Sequence, residues 1–403
     1  MFNASPTNQA PPLQDDPWGW WRSQMPVTGR WAYFDHAAVA PLPGPTAERI
    51  AAFATQAAQQ GDVDWLDWSA DVEQMRRSAA DWLHADSDEI AMIPNTSYGI
   101  NIVAEGLDWQ PGDNVVVPSG EFPSNLFPWL QQRDRGIEVR VVGDDHQPPD
   151  LEKIDAAIDQ RTRLVAASWV GYASGYRLDV DELVQRAHAK NALVFLDAIQ
   201  GLGIFPLDLS KTPVDFLAAD GHKWMLGPEG AGLAFVRRQH LHQLRCRTVG
   251  WNSVKNAHLF SGAAFDLRDS AARYEAGSSN MMGLLAMHRS LQVFWQVIAT
   301  HGTHAIGDRI LDLVDQADQW LKAAGATTSV PAQRARRSGI VNFQIPGVEP
   351  ADFRKQAMQA GIVVSCRGGG VRASIHAYNT ESELQRLADV VQQSLRQQET
   401  SVS

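Results

Sequence analysis

The chain has 403 residues, 44% hydrophobic and 20% charged, with a formal net charge of −11. That composition is globular, the length predicts roughly two or three domains with a cleft between them, and the acidic balance argues against a phosphate-backbone partner. The basic tract Arg334-Ala335-Arg336-Arg337 is too short for a nucleic-acid footprint. Two cysteines, Cys246 and Cys366, make neither a disulfide framework nor a metal cluster and suit a reducing cytoplasm.

Residues 1–30 are rich in Pro, Gln, Asp and Trp, show no period and lack the basic and apolar regions of a signal peptide. They predict an extended arm that packs where its tryptophans land. Residues 46–60, ended by Gly61, predict a helix with a glycine cap, and a second helix follows over 69–84. Short apolar runs at 114–118, 137–142, 164–170 and 192–196 read as strands, with helices at 151–159 and 179–190 between them. Such alternation implies a mainly parallel sheet covered on both faces, with ligands beyond the strands' carboxyl ends. After Gly277 comes a long helical stretch over 282–321, then a strand at 340–345 and a helix at 351–360 closed by Gly361. A strand at 362–364 and a last helix from Thr380 complete a smaller α+β unit. No stretch reaches ~18 uninterrupted apolar residues, so no membrane helix is expected.

The chemistry concentrates at three places. Lys223, in Asp220-Gly221-His222-Lys223-Trp224, follows a short apolar strand (216–219) and precedes the turn Gly227-Pro228-Glu229-Gly230. A partly buried lysine there has a depressed pKa and a nucleophilic amine; alternatively it is a structural lysine paired with a carboxylate. Asp197 directly follows the apolar run 192–196, which puts it at a strand's carboxyl end, as a cleft carboxylate or a helix cap. Asn95-Thr96-Ser97 opens a helix whose apolar positions Ile100, Val103, Ala104 and Leu107 share one face. Its first N–H groups and hydroxyls can cradle a phosphate or form an ordinary cap.

Asp197 to Gln200, followed by Gly221-His222-Lys223, resembles the class V aminotransferase family. The likeness runs from Phe34-Asp35-His36-Ala37-Ala38 through Glu121-Phe122-Pro123-Ser124-Asn125 and Tyr274-Glu275-Ala276-Gly277-Ser278 to Val371-Arg372-Ala373-Ser374. This pyridoxal-phosphate (PLP) family includes cysteine desulfurases, selenocysteine lyases, kynureninases and isopenicillin-N epimerase-like proteins. The resemblance implies the α/β, fold-type I architecture: a mainly parallel seven-stranded sheet in a large domain (31–280), an N-terminal arm (1–30) and a small α+β domain (281–403). It implies a Schiff base of PLP on Lys223, a quinonoid intermediate and chemistry on a small amino acid. Asp197 would pair with the pyridine nitrogen and keep the ring an electron sink, and Gln200 would donate to the ring oxygen. Thr96, Ser97 and His222 would contact the phosphate, with Phe122 over the ring. Ser278 would reach the phosphate of a neighbouring subunit in a homodimer. Arg372 would hold the substrate carboxylate bidentately, bordered by the backbone near Ala38 and by His36, while Tyr172 would either donate to the cofactor or the carboxylate or simply pack. No metal is implied.

The sequence departs from the desulfurase pattern. Phe122 stands where desulfurases place a histidine, Tyr172 where they often have an asparagine, and Asp220 where a serine helps bind phosphate, so the Asp220 carboxylate should face away from it. Cys366 lies too early for the usual nucleophile and reads as a small buried hydrophobe. Amino-acid transamination, C–S lysis and epimerisation remain alternatives. A nicotinamide oxidoreductase would need a Gly-x-Gly-x-x-Gly turn, and Gly201-Leu202-Gly203 lacks the third glycine while Gly227, Gly230 and Gly232 are misspaced. The 14 tryptophans could line a pocket near Trp224 or Trp251, or fill the core.

Overall fold

The computed structural model describes residues 11–145, 147–259 and 264–402. In chain order the strands are β1 (Ala32–Tyr33), β2 (Ile90–Ile93), β3 (Asn114–Pro118), β4 (Glu138–Val142), β5 (Thr162–Ser168), β6 (Leu193–Asp197) and β7 (Phe216–Asp220). They continue with β8 (Gly232–Val236), β9 (Thr327–Thr328), β10 (Ile340–Gln344), β11 (Ile362–Val363), β12 (Ser365–Arg367) and β13 (Gly370–Ser374).

The expected seven-stranded sheet is present, in the order β2-β8-β7-β6-β5-β3-β4. Strands β3 to β7 pair parallel, while β8 runs antiparallel to both β7 and β2. Every residue of β2, β3, β7 and β8 is buried, the signature of a sheet covered on both faces. β2 and β8 were not anticipated: each is a run of only four or five apolar residues with no period to set it apart from buried helix. A second, antiparallel sheet, β12-β13-β10-β9, forms from the C-terminal part. Residues 32–33 pair with β11, and Ser374 N–H donates to Phe34 C=O at 2.7 Å, so the N-terminal segment is stitched to the C-terminal sheet.

Two expectations need correction. The stretch predicted as one helix over 282–321 is two, Met281–His301 and Ala305–Ala323, because Gly302 adopts φ 91°, left-handed backbone that ends a helix. The arm, predicted to be extended, contains the helix Pro17–Ser23, whose Asp16 side chain accepts from Gly19 N–H at 2.8 Å. Proline at the first position and an aspartate cap are a start signal that composition alone concealed. Trp21 is fully buried edge-on against Phe294, at 4.7 Å between ring centroids, which anchors the arm; its residues 1–10 lie outside the described ones. Among the described residues no helix is long and apolar enough to cross a membrane.

Candidate active site

The parallel ladder delivers several strand ends to one edge. Ser168, the last residue of β5, is the register partner of Asp197, the last of β6, and Asp197 is the partner of Ala218 in β7. Two residues past β7 lies His222, then Lys223.

Lys223 is half-buried, and its Nζ lies 5.6 Å from the Phe122 ring centroid. Burial pushes its amine down to about 8; the Asp197 carboxylate opposes that shift and Arg372 adds to it. Asp197 is 3% exposed, and burial lifts its carboxyl to about 6, against the pull of the Ile199 N–H and of Lys223. Each charge therefore acts on the other. An amine near 8 is neutral often enough at physiological pH to attack a carbonyl.

The helix Thr96–Gly106 points its start at the same edge. Asn95 caps it by accepting from Tyr98 N–H at 2.8 Å. The buried Thr96 hydroxyl accepts from Asp220 N–H at 2.9 Å, which ties the helix start to the end of β7. Ser97 Oγ donates to Ser124 Oγ at 2.8 Å. Asp220 is drawn toward His222, with Oδ2 2.8 Å from Nδ1, while its buried Oδ1 has no hydrogen-bond partner among the described residues.

Arg372, on β13, is 1% exposed and already makes three bonds to protein: Nε to Ser365 Oγ (3.2 Å), Nη1 to Tyr172 C=O (2.7 Å) and Nη2 to Asp35 Oδ1 (3.2 Å). The Phe122 and Tyr172 rings meet edge-to-face at 5.2 Å. Ala38 is half-buried and donates its N–H to Asp35 C=O at 3.0 Å.

Three candidates sit differently from expectation. His36 does not border open space: it is fully buried, with Nδ1 2.7 Å from Ser374 C=O and Nε2 2.6 Å from the Tyr378 hydroxyl. Burial pushes its imidazole down to about 4, so it is a neutral core residue. Gln200 is 2% exposed and committed at both ends, donating to Ala37 C=O at 3.0 Å and accepting from Trp224 Nε1 at 2.6 Å. It fastens the Ala37 turn over Trp224. Ser278 is exposed in a separate, 200 Å³ cavity with Tyr98 and Glu275, away from the Lys223 group of this chain. Glu275 holds that segment in place through a buried ion pair with Arg76 (2.6 Å) and the Met92 N–H (2.8 Å). Trp224 is buried core; Trp251 is half exposed.

Sequence reasoning gave no role to Glu121 and Asp35. Glu121 accepts from Ser168 N–H (2.7 Å), the Ser168 hydroxyl and Asn125 Nδ2 (3.0 Å), and burial lifts its carboxyl to about 7. Asp35 accepts from both Arg372 and Ser365. Their signal was a carboxylate inside an otherwise apolar or small-residue segment, which only the fold turns into a contact.

These residues fit a pyridine ring carrying a phosphate. The buried Asp197 carboxyl would be returned to its charged form by a cationic ring nitrogen, Phe122 offers a flat face beside Lys223, and a helix of eleven residues starts with two hydroxyls.

Comparison with known proteins agrees. The family model "Aminotransferase class-V" matches residues 32–387. The chain is 32% identical over 398 residues to a probable cysteine desulfurase of Methanothermobacter thermautotrophicus, covering 92% of this chain and 96% of that one. It is 29% identical over 368 residues to isopenicillin N epimerase of Streptomyces clavuligerus, covering 87% and 92%. Among solved structures, the apo cysteine desulfurase from Thermococcus onnurineus NA1 superposes with a TM-score of 0.83 at 25% identity, covering 94% and 98% of the two chains. The cystine C–S lyase C-DES, in complex with its reaction product cysteine persulfide, gives 0.84 at 23% identity over 91% and 99%, a likeness of fold. Fold and site thus define a fold-type I, PLP-dependent enzyme. The chain belongs to the class-V aminotransferase family.

Proposed function

We propose that this enzyme works at the α-amino end of a free amino acid, with Lys223 holding the cofactor and then moving a proton at the substrate's α-carbon. The observation that carries this reading is the mutual arrangement of Lys223 and Asp197 at the ends of neighbouring strands: a half-buried amine and a buried carboxyl, each shifted toward neutrality and each acting on the other's charge. PLP, when bound, supplies an electron sink for negative charge at the carbon next to the amine. Asp197 keeps the ring nitrogen protonated. Thr96, Ser97 and His222 hold the phosphate, and Phe122 covers the ring. Arg372, fixed in direction by Asp35, Ser365 and the Tyr172 carbonyl, receives the substrate carboxylate through its remaining N–H groups. Ser278 serves the cofactor of a second copy in a homodimer, consistent with its exposure away from this chain's own Lys223. The cofactor domain spans 31–280 and the small domain 281–403, with 1–30 as an arm.

A second reading, C–S bond cleavage, is favoured by the 32% identity to a probable cysteine desulfurase. Cys366 argues against a cysteine nucleophile in it. The residue sits in β12, paired with Val371, and burial pushes its thiol up, away from the reactive thiolate.

The test is Lys223→Ala. The purified protein should show a visible absorbance that borohydride traps on the chain, and Lys223→Ala should lose it along with turnover; an unchanged trapped chromophore in the variant would overturn the assignment. Assaying alanine, sulfide and pyridoxamine phosphate with L-cysteine and with a keto acid in turn separates amine transfer from C–S cleavage.

A further inference from the structure

Glu121, Phe122, Ser168 and Tyr172 have a second side. Beyond them lies a cavity of about 850 Å³, between the carboxyl ends of the large sheet and the small sheet. Its opposite wall includes Thr328, Ser329 and Ala332, with Asn342 and Gln344 of β10. A space of this size suits a whole ligand of ~300–1,000 Å³. It far exceeds the side chain of the small amino acid that the sequence led us to expect.

The wall shared with Lys223 gives the cavity its meaning. Phe122 lies against the Lys223 amine and meets Tyr172 edge-on, and the Tyr172 carbonyl takes Arg372. An amino acid fixed by its amine at Lys223 and its carboxylate at Arg372 has this aromatic pair, and the space behind it, for its remaining substituent.

The lining selects the chemistry of that substituent. Among the described lining residues the one cation, Arg336, is paired with Asp179 at 3.1 Å. The two carboxylates are engaged as well: Glu121 by Ser168 and Asn125, Asp145 by the Ser119 hydroxyl and the Gly120 N–H (3.0 Å). An anionic tail would meet these two carboxylates at close range. What the walls offer is aromatic faces, Phe122, Tyr172 and Tyr176, and the neutral polar groups Thr327, Ser329 and Gln344. We propose that this cavity receives the substrate's side chain and that the substrate is an amino acid with a large side chain bearing an aromatic ring. The proposal rests on the functional reading above and specifies the substrate class for the same site.

The holoenzyme can be titrated with L-alanine, L-cysteine, L-glutamate, L-lysine and L-tryptophan while the cofactor absorbance is followed. L-tryptophan should bind at least about ten-fold more tightly than each of the others, as differential filling of a pocket allows. Ala332 is exposed and contributes only a methyl group, so Ala332→Trp fills the far wall without disturbing Lys223. It should raise the Kd for L-tryptophan about ten-fold and leave that for L-alanine within about two-fold; Ser329→Trp, from the same wall, should act in the same direction. Equal or tighter binding of L-alanine, L-cysteine or a charged amino acid overturns the cavity assignment, as does a variant that weakens L-alanine and L-tryptophan alike. If no amino acid perturbs the cofactor at all, the functional reading itself fails, a result distinct from alanine binding without a preference for tryptophan.

Discussion

At the scale of single residues, the site is built by making charge expensive. Asp197 shows how this couples to stability. Its carboxyl titrates near 6 in the folded chain, mainly because it is buried, against the ordinary 3.8 of an exposed aspartate. Between those values the folded chain binds a proton that the unfolded chain does not, so this group adds stability as pH falls from about 6 toward 4. Between pH 7 and pH 4.5 the gain is roughly 2 kcal/mol. Asp197→Asn cannot take up that proton. In urea unfolding of the cofactor-free proteins, the variant's stability relative to the parent should therefore drop by about that amount on going from pH 7 to 4.5. A pH-independent difference would show that the carboxyl is not buried as described.

Lys223, Asp197, Thr96 and Ser97 stand out as candidates because each is announced locally, by an apolar strand ending or a helix beginning next to it. The bonds that complete the site were not. Glu121 meets Ser168 across 47 positions, and Asp35 meets Arg372 across 337. No periodicity reports such a pair. His36, which the resemblance implied would border the substrate, is buried for the same reason: its ring is claimed by Ser374 and Tyr378 from the far end of the chain.

At the scale of elements, the helix Thr96–Gly106 carries most of the positioning. It lies close against β7 because Gly99 has no side chain. A Cβ there would come within 2.5 Å of the Ala218 Cβ and 3.0 Å of the Ile93 Cδ1. Gly99→Ala must lift the helix from the sheet, a crowding that typically costs about 1–3 kcal/mol. The same displacement moves Thr96 from the Asp220 N–H. The variant should lose denaturation free energy in that range and bind PLP more weakly in equilibrium titration. Loss of stability with unaltered PLP affinity would separate the helix from the cofactor. The elements themselves followed the sequence where they were long or strongly amphipathic, as in Val180–Ala189, and departed from it where one glycine broke a helix or where two short apolar runs, β2 and β8, became strands. A four-residue run carries too few turns of any period to declare itself.

At the scale of the whole molecule, one buried cluster joins the three parts of the chain. His36, from the N-terminal segment, bonds to Ser374 and Tyr378 of the C-terminal unit and stacks 6.0 Å from Trp224, beside Lys223. His376 stacks on the same indole at 6.0 Å and is likewise pushed toward neutrality by burial. Neutral buried imidazoles oppose the Asp197 effect. The unfolded chain protonates His36 near 6.5 and the folded chain only near 4, so stability is intact above 6.5 and is lost as pH falls through that window. For His36 alone the loss reaches about 3 kcal/mol. Glu121, whose carboxyl burial lifts to about 7, compensates in the same sense as Asp197, so in a background carrying both Asp197→Asn and Glu121→Gln acid unfolding should begin below pH 6.5 and steepen down to about 4. A flat stability profile over that interval would mean that the imidazoles are reached by water.

The sequence by itself determined the class of fold and the cofactor, through a family resemblance carried by short contiguous segments, and it singled out Lys223 and Asp197 as candidates because each follows closely on an apolar strand. Only the tertiary structure decided that His36 and Gln200 are interior fasteners, that Arg372 is held by Asp35, and that a large cavity opens behind Phe122 and Tyr172. Those features arise where segments hundreds of residues apart meet, and the free energy of such a meeting depends on packing and desolvation that no local stretch of chain contains.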